Sequence, residues 1–181
     1  MNIVVHRQVY LSLFKSYDID RLYEAKRDVV KFKLEHELIL LNEPPLNRNT
    51  LFNYVSKLLL SKNYVEPSYP EALIAREENH PTAMQLERMG VAIPHVDVEH
   101  VREEKLVVVT CPEGIVFNQA EDPDCTMKVN VIFFLLLKEK DAHLEFLMKL
   151  ISLFQRSNEM DQILWAKSKD DVMELLAKSL Y

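Results

Sequence analysis

Apolar residues recur along this chain with two alternating periods. Leu51, Phe52, Val55, Leu58 and Leu59 share one face of a 3.6-residue repeat and predict a helix. Ahead of them "HELILL" (His36 to Leu41) reads as a short strand, which "NEPPLNRN", with two prolines and three asparagines, then breaks. In "SYPEALIAREE" Ser68 and Glu71 have the spacing of a capping box with Pro70 in the first turn, so a second helix is expected to run to about Glu78. The pattern then turns to strands: "VAIPH", ending at His95; "KLVVVT", apolar enough to be buried on both faces; "GIVF", a short one; and "VNVIFFLLL", long and central. It returns to helical period in "KEKDAHLEFLMKLISLF", where Leu144, Leu147, Ile151 and Phe154 form one stripe and Asp141 suits an N-cap. Two more helices follow, "NEMDQILWA" from about Asn158 and "SKDDVMELLAKSL", with Ser168 and Asp171 as a second capping box. The sum is an α/β domain with a mixed sheet of four or five strands flanked by helices. Residues 1–32 have helical spacing and no strand; they read as a helical N-terminal extension, packed on the domain of residues 33–181 or on a second subunit.

Composition narrows the chemistry. At 181 residues and 48% hydrophobic content the chain suits one globular domain with a sizeable core, plus an appendage. The net charge of −6, with both signs interspersed, argues against a nucleic-acid groove. The longest wholly apolar run, Val131 to Leu137, is too short to cross a membrane, and "MNIVVHRQVY" lacks a signal-peptide pattern, so a cytoplasmic protein is expected. Cys111 and Cys125 have no metal-ligand spacing and read as buried small hydrophobes. With Gly90 and Gly114 as its two glycines, the chain contains neither G-x-G-x-x-G nor the P-loop nor G-x-S-x-G. Any phosphate chemistry must therefore come from side chains and helix ends.

Two histidines and one arginine stand where position gives them work. His95 ends a strand just beyond Pro94, which fixes its own φ and holds Ile93 extended. His143 lies in the first turn of the long helix, where free amides attract phosphate and favour a neutral imidazole. Ligands gather outside the carboxyl ends of strands, so the two imidazoles are able to face one site. A neutral imidazole nitrogen is a competent nucleophile toward phosphorus, and Arg76 is a candidate to neutralise phosphoryl charge. The same spacing also fits a strand cap, a helix decoration and an Arg76 paired with Glu77 or Glu78. Two rivals exist. His95, Asp97 and Glu99 would share one face of an extended segment, with His100 nearby, as in a metal site. Cys111 sits at a strand end, the place of a thiol nucleophile, but without a base beside it. His6, His36 and His80 read as surface or structural residues.

The run "NYVEPSYPEALIAREENHPTAMQLERMGVAIPHVDVEHV", with "CPEGIVF", "AHLEFLMKLISLF" and the opening "HELILLN", resembles the IIA component of the bacterial sugar phosphotransferase system. The resemblance lies in the mannitol–fructose superfamily, nearest its galactitol-type branch, and covers about Lys33 to Tyr181. It implies that His95 takes phosphate from the phosphohistidine of HPr and passes it to a cysteine of a IIB partner, which serves the IIC transporter. It implies that His143 hydrogen-bonds the phosphoryl oxygens, that Arg76 borders the site and that no cofactor is needed. Thr82 matches the family's polar position before the active strand. Many members follow the histidine with glycine; here Val96 brings a branched side chain to the place where a partner backbone would approach. The implied function is phosphoryl relay for uptake of a galactitol-like polyol or related sugar, the alternative being a regulatory protein signalled by the same phosphorylation.

Overall fold

Residues Val131 to Leu136 are buried on both sides of the strand they form. Their side chains alternate, Val131, Phe133 and Leu135 entering one apolar cluster and Ile132, Phe134 and Leu136 the other. Such a run needs a covered layer on each face of the sheet. In a computed structural model, residues 34–138 and 140–180 are described, without the side chains of residues 140–145. The expected helical extension over residues 1–32 lies outside the described residues.

Five strands form one mixed sheet in the order β1-β4-β5-β3-β2. They are β1 (Ile39–Leu40), β2 (Met84–Gln85), β3 (Gly90–Ala92), β4 (Lys105–Asn118) and β5 (Thr126–Leu136). Strands β1 and β4 are parallel, as are β3 and β5, whereas β4–β5 and β2–β3 are antiparallel. Helices α1 (Arg48–Ser61) and α2 (Tyr69–Asn79) precede β2, and α3 (Lys140–Phe154), α4 (Ser157–Leu164) and α5 (Lys169–Leu180) follow β5. Leu51, Phe52, Val55, Leu59, Tyr69 and Leu73 cover the face that shows Ile132 and Phe134, and residues of α3, α4 and α5 cover the other. Phe52 bridges Phe117 and Phe134 at ring separations of 5.9 and 5.4 Å, a tilted and an edge-on contact. No helix among the described residues is long and apolar enough to cross a membrane.

The α/β expectation holds, with local departures. "KLVVVT" and "GIVF" are one strand, because the bulge between Thr110 and Ile115 bends β4 without ending its pairing to β5. Gly114 sits in that bulge at φ 79, a conformation that suits glycine, and Asn130 donates to the Cys111 and Pro112 carbonyls left unpaired there. The strand expected over His36 to Leu41 shrinks to β1 behind a 3-10 turn at His36–Leu38. The short β2, hydrogen-bonded to Gly90–Val91, has no alternating pattern that would reveal it. The Ser68–Glu71 capping box does not form, since the Ser68 hydroxyl instead meets His100 Nδ1 at 2.8 Å. The Ser168–Asp171 box does form, with reciprocal bonds of 3.1 and 3.2 Å. Asp141 lies inside α3, which begins at Lys140. Cys111 is buried, but Cys125 is exposed in the β4–β5 hairpin, where its thiol meets Asp122.

Glycine at position 90 is a packing requirement. A Cβ there would lie 2.0 Å from the Lys128 carbonyl oxygen and 2.8 Å from Met127 Cε, so β3 approaches β5 more closely than any side chain allows. In open space Gly→Ala tends to stabilise by about 0.4–1 kcal/mol. Gly90→Ala is instead expected to destabilise by about 2 kcal/mol or more, as overpacking against backbone does. Urea denaturation reads the difference, and a neutral or stabilised variant would contradict the close approach.

Candidate active site

Strand β3 delivers His95 to the carboxyl edge of the sheet. Its parallel neighbour β5 runs alongside, so the Leu135 amide donates to the Pro94 carbonyl at 3.1 Å and the backbone of His95 bridges to Leu135. The imidazole is half-buried, and both ring nitrogens have partners. Nδ1 lies 2.8 Å from the Ile93 carbonyl oxygen and Nε2 lies 3.0 Å from Nη2 of Arg76. A carbonyl only accepts and a guanidinium only donates, so the neutral ring carries its proton on Nδ1 and its lone pair on Nε2. The lone pair is thus the one presented beside a positive charge.

Arg76 reaches this position from the last turn of α2, and its Nη1 donates to the His80 carbonyl at 2.7 Å, which braces the guanidinium. The alternative partners, Glu77 and Glu78, are engaged elsewhere. Glu78 instead lies 3.6 Å from Arg48, and Glu77 points inward. Strand β5 leaves the sheet at the same edge as β3, which brings the first turn of α3, the turn containing His143, to that edge. The side chain of His143 lies outside the described residues.

Glu77 is the residue that sequence reasoning passed over. It is 1% exposed, and its two carboxylate oxygens accept from the Thr82 amide and the Thr82 hydroxyl, each at 2.9 Å. Thr82 Oγ1 in turn accepts from the Ile93 amide at 3.1 Å. The adjacent R-E pair carried the signal, but a glutamate in a helix reads as a solvated face unless its depth is known.

The rival constellations come apart. Val98–His100 is a turn of 3-10 helix, so His95, Asp97 and Glu99 do not line one extended face. Among the described residues no three His, Cys, Asp or Glu side chains converge as a metal would require. Cys111 is fully buried in β4, and that burial pushes its thiol up, away from the thiolate a nucleophile needs. The side chains of His36 and His80 lie at the surface, His80 taking part through its backbone carbonyl alone, and His6 is outside the described residues. Val96 also behaves differently from expectation: at 4% exposure its side chain joins the core under α1 and α2 and does not project toward a partner.

An imidazole held with its lone pair beside a guanidinium is suited to take up and hand on a phosphoryl group, and the mixed sheet between two helical layers is the architecture of phosphotransferase IIA domains. The solved complex of enzyme IIA and phosphorylated enzyme IIB for mannitol from Escherichia coli superimposes with a TM-score of 0.68 at 25% identity, over 82% of this chain and 99% of that one. The family model for the phosphoenolpyruvate-dependent sugar phosphotransferase system, EIIA 2, matches residues 33–179, and the chain belongs to that family. The galactitol-specific EIIA component of Escherichia coli K12 is 26% identical over 119 residues, 66% of this chain and 79% of that protein. The nitrogen regulatory protein IIA-Ntr of Neisseria meningitidis has a TM-score of 0.64 at 26% identity, over 79% of this chain and 95% of that one. The protein is accordingly a phosphotransferase component, a phosphoryl carrier of the kind that relays phosphate through a histidine.

The buried carboxyl has a consequence for stability. Burial raises the Glu77 pKa from 4.5 to about 7, against the hydrogen bonds from Thr82 and the charges of Arg48 and Arg76, which lower it. Between those two pH values the folded chain holds a proton that the unfolded chain releases. This group's contribution to stability therefore falls as pH rises through that window, by an amount on the order of 3 kcal/mol, and is level above it. Glu77→Gln imitates the protonated form, so wild type should lose stability relative to the variant from pH 4.5 to 7. Paired urea titrations across that range check this, and a constant difference would mean that the carboxyl titrates as an ordinary glutamate.

Proposed function

We propose that His95 is the residue that accepts phosphate, through Nε2, from the phosphohistidine of HPr, and that it passes the group to a cysteine of a IIB partner. The observation that carries the reading is the pair of contacts at the ring, Nδ1 2.8 Å from the Ile93 carbonyl oxygen and Nε2 3.0 Å from Arg76 Nη2, which in the neutral imidazole leave the lone pair on Nε2. In the transfer, the donor's N–P bond breaks as the Nε2–P bond forms, and the Nδ1 proton stays where the carbonyl already accepts it. The Arg76 guanidinium then exchanges the nitrogen lone pair for phosphoryl oxygens, the positioning and charge neutralisation that phosphoryl transfer chiefly needs. The role for His143, donating to the same oxygens, rests on the family resemblance and on the placement of the first turn of α3 at this edge.

The galactitol-specific relative supports a polyol or related sugar as the transported substrate, and the complex with phosphorylated IIB, a property of the mannitol protein, supports a IIB partner here. In this reading the domain works in the cytoplasm and residues 33–181 suffice for the chemistry. Likeness to IIA-Ntr favours a second reading, in which the same phosphorylation signals to a regulator. Transfer of label from the phosphorylated chain to a IIB component separates the two.

With phosphoenolpyruvate, enzyme I and HPr, the chain should gain one phosphate that is labile in acid and stable in base. His95→Ala should gain none while staying folded, because a half-buried strand-end imidazole adds little to the core. An acid-labile phosphate retained by His95→Ala would move the acceptor elsewhere, and an unphosphorylated wild type with active partners would remove the relay. Residues 33–181 alone should be labelled like the full chain; a folded truncation that takes no phosphate would refute that boundary. His143→Ala should still be phosphorylated but hand phosphate on about 10² to 10³ times more slowly, as for loss of one oxyanion donor, and stopped-flow transfer at the wild-type rate would take His143 out of the mechanism.

A further inference from the structure

Arg76 and Glu77 are consecutive residues at the end of α2, yet they reach the same strand end by different routes. Arg76 contacts the His95 ring directly. Glu77 contacts it through Thr82, whose hydroxyl donates to Glu77 Oε2 and accepts from the Ile93 amide. Ile93 is thereby held at both ends, its amide by Thr82 and its carbonyl by His95 Nδ1. All three residues of this clamp are buried: Glu77 and Thr82 are each 1% exposed and Ile93 is 0% exposed.

We propose that Glu77 and Thr82 are positioning residues for the phosphoryl relay: as a buried clamp between α2 and β3, they fix the Ile93 peptide planes and so hold the His95 imidazole in the tautomer and register that meet Arg76. The proposal rests on the reading of His95 as the acceptor. Its physical basis is that a buried amide must keep an acceptor, so the Ile93 N–H cannot turn away from Thr82 without losing one. The carbonyl orientation that selects Nδ1–H depends on that amide staying put, since the two peptide planes of one residue are linked by its φ and ψ alone. Pro94 narrows the remaining freedom by keeping Ile93 extended. The helix that supplies the guanidinium also supplies the clamp, so the spacing between Arg76 and Nε2 is set from two adjacent anchor points. Orientation of this kind carries large rate factors, and a displacement of about 1 Å costs on the order of 10²-fold.

Thr82→Val keeps the shape of the side chain and removes the hydroxyl. In full-length protein labelled with ¹⁵N-histidine, the wild-type ring should show a protonated Nδ1 and an unprotonated Nε2 for His95. In Thr82→Val the two nitrogens should average toward a mixture of tautomers. The rate of phosphate uptake from phospho-HPr should fall by about 10-fold to 10²-fold with the KM for phospho-HPr within about twofold, an orientation effect and not a binding one. Thr82→Ser should restore both the ring signature and the rate. Glu77→Gln keeps an acceptor for the Thr82 amide but turns its NH2 toward Thr82 Oγ1, whose buried hydroxyl then loses its acceptor, so it should move both readouts in the Thr82→Val direction, and a folded Glu77→Gln with the wild-type ring signature and rate takes Glu77 out of the clamp. Thr82→Ala, followed by the same two measurements, serves if the valine variant does not fold. A folded Thr82→Val or Thr82→Ala with the wild-type tautomer, or with the wild-type rate, overturns the proposal. Wild type that takes no phosphate overturns the acceptor reading instead, and the imidazole spectrum still reports whether the clamp sets the ring.

Discussion

The bond from His95 Nδ1 to the Ile93 carbonyl, 2.8 Å long, decides what the opposite nitrogen can do. A histidine free to choose its tautomer offers Nε2 as an acceptor for only part of the time. Here the neutral ring has a fixed acceptor for its one proton, so its lone pair faces Arg76. That bond requires an extended Ile93, a proline after it, and a strand that cannot slide. Each requirement is met by burial: Ile93 is inaccessible, β3 lies in register with β5 from Val91 onward, and Gly90 abuts the β5 backbone at a distance that admits no Cβ. The two apolar layers are what make the geometry of one imidazole permanent.

Carrying a carboxyl under this site is energetically unfavourable. Glu77 is desolvated, and desolvation is the first cause of its raised pKa. An apolar residue of similar volume would avoid that cost, as replacement of buried charges often does. It would also leave the Thr82 amide without an acceptor and the Thr82 hydroxyl without the partner that orients it. The carboxyl has two acceptor oxygens at the spacing of one residue's amide and hydroxyl, which few other side chains provide. Stability is given up at Glu77 where orientation is gained at His95, the pattern expected of a functional site.

Much of the layer structure was legible in the sequence because hydrophobic period and length agree: "VIFFLLL" is too apolar for a one-sided strand, and the stripes at Leu51 to Leu59 and Leu147 to Phe154 keep helical spacing. His95 was legible because Pro94 and the end of an apolar run mark a presented side chain. What escaped depends on depth and on distant partners. Gly114 looked like a strand boundary, whereas its positive φ lets one strand bend and continue. Ser68 had a capping partner at the right spacing and lost it to His100, 32 positions away. Cys125 looked like Cys111 by type, yet one lies mid-strand and the other in a hairpin turn. Glu77 had to be seen at 1% exposure before a charged helix residue became part of the site.

A carrier also has to let go. Phosphate that passes from one protein's imidazole to another's thiol must not be bound so tightly at the intermediate stop that departure becomes the slow step, the same constraint that makes uniform binding useless for rate. In the proposed relay Arg76 meets it by holding something in both states. Before transfer its Nη2 donates to Nε2 and its Nη1 to the His80 carbonyl; afterwards the phosphoryl oxygens replace the ring nitrogen while the His80 contact is able to persist. The guanidinium therefore exchanges one acceptor for another and does not create a new interaction from solvent, so the net stabilisation of the phosphorylated form is the guanidinium–phosphoryl interaction less the bond given up at Nε2. An arginine that reached the phosphate only after transfer would contribute its whole interaction to the loaded state and hold the group back. The contact between Arg76 and the unphosphorylated ring offsets part of what the guanidinium gains from the phosphoryl group, and it exists because α2 ends where β3 ends.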